Sequence, residues 1–365
     1  MLRSLRASSE TAAARSHWAD NARAIGIALV VAGHELRGLE RAGILPSSEA
    51  LTLLDSVVYS FHVPLFFFLS GMFFDGSVAR HGRRGALRGK LERLVLPYLI
   101  WSLLQGSVEV LLAGTTNGRA TWSEVLALLW VPRAQFWFLY VLALVMLLGL
   151  LVYRDVRMRR SPLVPALGLA LYLARPLLPD QLHLGFVADH FVFFAVGVWT
   201  QGALPRLAAR PGSVTLLALV TAVLLQIHFH GLLGLHYTDR GLETLALAAT
   251  AILAILGLSM LLARRAHPWL RAVGRASMPI FLMHILAASG LRVVLQRGFG
   301  LDDPALHVVL GLAAGLAAPM LAARLWDQLL APSLPLWTAR LGWRRAGTGG
   351  RDLRQPAVAA SQPKV

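Results

Sequence analysis

Apolar residues run through this chain in blocks of about twenty, the length that crosses the hydrocarbon core of a bilayer. A chain built this way is pushed toward one architecture. Lipid offers no hydrogen bonds, so each spanning segment must satisfy its own backbone as a helix. Over 365 residues, 56% are hydrophobic and only 15% charged, where a soluble protein carries nearer a quarter charged. The sequence therefore predicts an all-α, polytopic membrane bundle of about ten transmembrane helices. The spans fall near 18–38, 52–74, 94–113, 135–153, 162–178, 184–201, 213–231, 241–262, 278–296 and 304–326. Residues 1–17 form a cytoplasmic N-terminal segment, 18–327 the membrane domain, and 328–365 a cytoplasmic, partly disordered tail that is polar and Gly-, Pro- and Ala-rich from Ala346 onward. No stretch reads as an attached soluble domain.

The charges supply an internal test of this plan. With the N-terminus inside, every inside segment is basic, from Arg3, Arg6 and Arg15 through the cluster Arg80 to Arg93, then Arg154 to Arg160, Arg206 and Arg210, and Arg264 to Arg275. Outside segments hold few basic residues, chiefly Arg37, Arg41, Arg119, Arg133, Arg240 and Arg297. This asymmetry follows the positive-inside rule and supports an even number of spans with both termini cytoplasmic. It also answers the nucleic-acid reading that a net charge of +16 invites, because the basic residues sit in short clusters between apolar blocks. There are no cysteines, which excludes disulfides, thiolate metal sites and a cysteine nucleophile. The basic lead and the apolar run Ile25–Ala32 also read as a signal peptide, but cleavage near Gly33 would discard the most distinctive residues of the chain.

Those residues are Asp20, Arg23 and His34 in the first span. Arg23 and His34 stand eleven positions apart, which returns to within roughly 20° of the same helix face about 16 Å further along the axis. Asp20 joins that face as the i,i+3 neighbour of Arg23. Ionisable groups inside a membrane helix are costly and mark pathways or reaction centres. One reading makes His34 a base or acyl acceptor and Arg23 an anion anchor. The other makes His34 an interhelical hydrogen-bonding residue and Arg23 a snorkelling side chain. On these residues alone both stand.

Four further groups qualify. In Phe61-His62-Val63-Pro64 to Ser70-Gly71, Pro64 is expected to kink or open the helix and expose a carbonyl beside His62. Ser70-Gly71 reads as a close-packing pair rather than a nucleophile, since no Gly-x-Ser-x-Gly elbow surrounds it. Arg88, Lys90 and Arg93 fix topology and also suit phosphate groups. No Walker-type loop accompanies them. Gln135 to Tyr140, with Trp137, reads as an interfacial aromatic belt. His284, in Gly274 to His284, reads first as a packed histidine. Metal binding is not expected; His228, His230 and His236 come closest to ligand spacing and lack a partner carboxylate in register.

Taken in order, these pieces resemble the integral-membrane acyltransferase-3 family, and within it the fucose 4-O-acetylase-like branch. The signposts are Trp18-Ala19-Asp20-Asn21 into Arg23-x10-His34, then Phe61 to Gly71, Lys90-x-x-Arg93 with Leu96-Pro97-Tyr98, Trp137-Phe138-Leu139, Phe193 to Gly197, and Ser277 to His284. They cover roughly residues 17 to 327. The resemblance implies transfer of an acyl group from cytoplasmic acetyl-CoA, or another acyl-CoA, to a hydroxyl of an extracytoplasmic carbohydrate. It implies no permanently bound cofactor and a bacterial inner-membrane location. His34, Arg23 and Asp20 would be catalytic. Lys90, Arg93 and Arg88 would bind the donor, with Lys90 departing from the family's arginine by offering a point charge in place of a fork. His62, Ser70, Trp137 and His284 would line the substrate pocket. A proton-coupled transporter or lipid-linked glycan flippase is the rival reading, since intramembrane Asp, Arg and His also suit a carrier. No inverted repeat is visible, and the ionisable residues gather in the first three spans.

Overall fold

A computed structural model describes residues 2–112, 120–178 and 181–330, with no side-chain description for 2–16, 181 and 330. Arg119 and the tail from 331 onward lie outside the described residues. The described residues form helices only: α1 (Leu2–Arg41), α2 (Glu49–Tyr59), α3 (His62–Met72), α4 (Phe74–Lys90), α5 (Leu96–Leu111), α6 (Trp122–Leu126), α7 (Trp137–Val152) and α8 (Val156–Arg160). They continue with α9 (Leu163–Leu173), α10 (Leu184–Trp199), α11 (Leu204–Ala209), α12 (Pro211–Gln226), α13 (Leu242–Ala263), α14 (Pro268–Arg275), α15 (Ser277–Val293) and α16 (Pro304–Leu325).

Helix starts carry local signals. Ser48 accepts from the Leu51 N–H, and Thr121 and Glu124 form a reciprocal capping box. Asp303 caps the helix that opens on Pro304, where the missing proline N–H costs nothing. Pro64 lies in the first turn of α3, for the same reason. The expected kink therefore falls before it: α2 ends at Tyr59, and Ser60 and Phe61 bridge to a new helix.

Eight helices among the described residues are long and apolar enough to span a membrane, against the ten expected. The two differences have distinct causes. The segment expected at 162–178 is an apolar helix of only 11 residues, Leu163–Leu173, about 16 Å long and too short to cross unaided. The first helix is long, but Arg23, His34, Glu35, Arg37 and Arg41 interrupt its apolar run. It can carry them because it stands inside the bundle, packed against α3, α13, α14, α15 and α16. The basic segment before the third span is also not a loop. Helix α4 carries Arg80 to Lys90 and bends at Gly82, whose φ of 66° favours glycine. A π-helical turn, Leu91–Val95, joins it to α5.

The α3–α10 crossing brings two backbones into close contact. A Cβ on Gly71 would sit on the Phe194 carbonyl, and one on Gly197 would sit on the Phe68 carbonyl. Each helix presents a glycine to the other's backbone, the small-residue packing expected of Ser70-Gly71. Around this crossing lie the buried rings Phe67, Phe74, Phe191 and Phe194. The aromatic group at 135–140 turns inward rather than forming a belt. Phe136 is 1% exposed, Phe138 packs edge-on to Phe66 and Phe67 and tilted against Phe281, and Trp137 lies on Phe186 and His190. Helix α12 does the opposite and leaves Leu216, Leu217, Leu219 and Leu224 exposed, a surface suited to lipid.

Candidate active site

A large cavity, about 1120 Å³, follows α1 from Arg23 to Arg41. Its lining begins at Arg23 with Ser70, Leu94, Ser277 and Met278 and passes His34 in mid-course. It ends at Arg41 with Leu112, Arg133, Gln296 and Arg297. Arg23 and His34 share this wall, as their spacing predicts. Asp20 does not line it, but holds Arg23 through a 3.0 Å ion pair. Arg23 also lies 5.2 Å from the centre of the Phe73 ring, so its guanidinium is held from both sides.

Around His34 three other rings converge. His284 is tilted against it with centroids 5.1 Å apart, and Tyr59 is edge-on at 6.5 Å. His62 in turn packs edge-on to Tyr59 at 4.5 Å. The break between α2 and α3 makes this possible. His62 Nδ1 donates to the Val58 carbonyl at 2.8 Å, at the end of α2 rather than at the carbonyl that Pro64 would free. His284 Nδ1 donates to the Ile280 and Phe281 carbonyls at 3.0 and 2.9 Å. A carbonyl only accepts, so Nδ1 carries the proton, and in a neutral ring Nε2 presents a lone pair. In His284 that Nε2 is buried without a hydrogen-bond partner, as is the Tyr59 hydroxyl. Orphaned polar atoms of this kind beside a cavity suit a ligand that supplies the missing bonds.

Ser70, Trp137, His62 and His284 all line the cavity. Lys90 and Arg93 do not, although Leu94, adjoining Arg93, does. Lys90 is half-buried and Arg93 exposed, on either side of the start of the π-helical turn. Arg88 is exposed and ion-paired to Glu92 at 2.8 Å. The basic group thus stands beside the Arg23 end of the cavity and outside it. No group of three metal-ligating side chains occurs among the described residues. His230 and His236 bond instead to the Leu235 carbonyl and the Thr238 hydroxyl.

Sequence reasoning missed several residues of this wall. Arg37 makes a double hydrogen bond to Asp55 at 2.6 and 2.7 Å, donates to the Tyr237 hydroxyl at 3.0 Å, and lies 3.5 Å over the Tyr59 ring. It fixes Tyr59 against the histidines. Glu35, 3% exposed, has one carboxylate oxygen without a partner. Both lie within three positions of His34, and their presence in an apolar helix was the available signal. Gln105 and Gln135 bond to each other at 2.7 and 3.3 Å, a pairing across thirty positions that no local pattern announces.

A family model described as an acyltransferase domain, that of acyltransferase family 3, matches residues 16–324. The chain belongs to that family. It is accordingly a polytopic membrane acyltransferase, and the matched region contains the whole cavity. No curated protein matches the chain. No solved structure matches it either. Within the acyltransferase domain, α1 supplies most of one wall of the cavity, while α3, α5, α7 and α15, with Tyr59 of α2 and residues 133–135, supply much of the rest.

Proposed function

We propose that this membrane acyltransferase moves an acetyl group from acetyl-CoA to a hydroxyl of an extracytoplasmic carbohydrate, as the fucose 4-O-acetylase-like branch of its family does. The bilayer is that of a bacterial inner membrane, with the Arg23 end of the cavity facing the cytoplasm, in keeping with the basic segments on that side. The observation that supports the reading is the cavity whose lining runs from Arg23 past His34 to Arg41. A donor from one side and an acceptor from the other meet there without either crossing the membrane.

In this reading CoA phosphates dock on Lys90 and Arg93, with Arg88 contributing if it exchanges Glu92 for phosphate. The thioester reaches past Arg23 into the cavity. His34 takes the proton of the acceptor hydroxyl as its oxygen bonds to the acyl carbon. The carbon–sulfur bond then breaks, and the CoA thiolate recovers a proton from His34. Arg23, held by Asp20, offsets negative charge on the carbonyl oxygen or the donor phosphate. His284 and His62 frame the reacting atoms, Trp137 packs beside them and Ser70 lines the donor route. A variant path first bonds the acyl carbon to a His34 nitrogen and then passes it to the acceptor oxygen. Labelled acyl-protein after a brief pulse distinguishes it.

The test uses purified protein in detergent with radiolabelled acetyl-CoA and an extract of host surface glycans. Label entering glycan with wild type and lost with His34→Ala, at matched expression, supports the reading. No CoA binding and no label with any acyl-CoA overturns it and turns attention to a glycan carrier, in which the Arg23–His34 face would be a proton path.

A further inference from the structure

The arginines expected outside are few, yet they are not scattered. Of the six, Arg119 lies outside the described residues and Arg240 pairs with Asp189. The other four, Arg37, Arg41, Arg133 and Arg297, all line the far end of the cavity along α1. Arg292, 9% exposed, joins them there. In a chain that keeps this side poor in positive charge for topology, such convergence calls for a ligand.

Part of the charge is already balanced. Asp55 holds Arg37, Glu109 holds Arg133 at 3.0 Å, and Glu35 lies beside Arg292. Of the five arginines, these three carboxylates engage three and leave two guanidinium groups outside any such pair. They belong to Arg41 and Arg297, which are exposed on the rim and form no ion pair among the described residues. Glu35, one position from His34, lines the cavity deeper in, and its oxygen that packs against Gly311 is a hydrogen-bond acceptor without a donor. Gly38 and Gly311 leave the room that Arg292 and Glu35 occupy, since a Cβ on either would meet those side chains.

We propose that the acceptor is an acidic carbohydrate, whose oxyanion is bound at the rim by Arg41 and Arg297 while one of its hydroxyls donates to Glu35. The shared chemistry is an oxyanion that takes hydrogen bonds from two guanidinium groups; a sugar carboxylate and a sugar phosphate both supply it. This inference rests on the acyltransfer reading for its meaning but not for its test, because binding is measurable without turnover.

The full chain in neutral-headgroup nanodiscs is titrated with three probes: a uronic-acid oligosaccharide, its carboxyl-reduced neutral counterpart, and that neutral oligosaccharide carrying one phosphate monoester. The expected result is binding of an anionic probe about tenfold or more tighter than of the neutral one, with a preference that weakens as salt rises. Arg41→Gln with Arg297→Gln erases the preference. Stronger binding of the carboxylate probe assigns a sugar acid, and stronger binding of the phosphate probe assigns a phosphorylated sugar. Equal binding of charged and neutral probes, or a preference that survives both substitutions, overturns the inference. A thermal melt of the double variant within a degree or two of wild type shows that the rim, not the fold, was changed. If the preference holds but no acyl-CoA transfers label to any probe, the acyltransfer reading falls and the anion site stands.

Discussion

His34 differs from an ordinary buried histidine by its company. His62 and His284 each spend Nδ1 on a backbone carbonyl, which orients their rings without using Nε2. Tyr59 is clamped under Arg37. The residues next to His34 are thereby locked by backbone carbonyls and by an arginine itself fixed by Asp55, the arrangement a precise site needs. The proposed role of His34 as base is tested by its removal: His34→Ala should lower acyl transfer by about 10²- to 10⁴-fold, measured as label incorporated per folded protein. Arg37→Gln should act differently. It leaves Asp55 without its charged donor and Tyr59 without its clamp, and should cost about 2 kcal/mol of stability, read as a lower melting temperature of the detergent-solubilised protein.

Among the elements, backbone proximity matters more than side-chain bulk at the α3–α10 crossing. Gly71 and Gly197 each face a carbonyl of the other helix, so neither side can yield by rotating a side chain. Gly71→Val or Gly197→Val should separate the helices at a cost of about 3 kcal/mol or more, seen as loss of the monodisperse peak in size-exclusion chromatography. Gly89 in α4 has nothing near a would-be Cβ. Gly89→Ala should be neutral or stabilising by up to about 1 kcal/mol, because alanine is the better helix former. The opposite signs of the two substitutions separate helix packing from helix propensity.

For the molecule as a whole, the cavity makes two claims that can be checked without knowing the acceptor. Acetyl-CoA at 100 times its dissociation constant should stabilise the protein by about 2.7 kcal/mol, and His34→Ala should keep this shift if its role is chemical. The absence of cysteine permits single-cysteine labelling on an otherwise unreactive chain. Ser277→Cys at the Arg23 end and Ser289→Cys toward the Arg41 end should react with impermeant thiol reagents from opposite sides of sealed vesicles. Labelling of both from one side would rule out a cavity reaching across the bilayer.

Much of this protein was legible in its sequence because the bilayer permits so few solutions. Apolar length, helical spacing and the distribution of arginine are local or additive properties, and they sufficed for the all-helical bundle, the shared face of Arg23 and His34, and the close-packing role of Gly71. They failed where an element's surroundings decide its meaning. The first helix tolerates its charges because other helices surround it, Leu163–Leu173 is apolar without being long enough to cross, and the 135–140 aromatics face inward because α3, α10 and α15 offer them rings to pack on. The site was half legible for the same reason. Sequence periodicity aligned residues along one helix, but the meeting of His34 with His284, 250 positions away, and of Arg37 with Asp55 and Tyr237 depends on which helices become neighbours. That choice is made by packing across the bundle, and no pattern within a single segment encodes it.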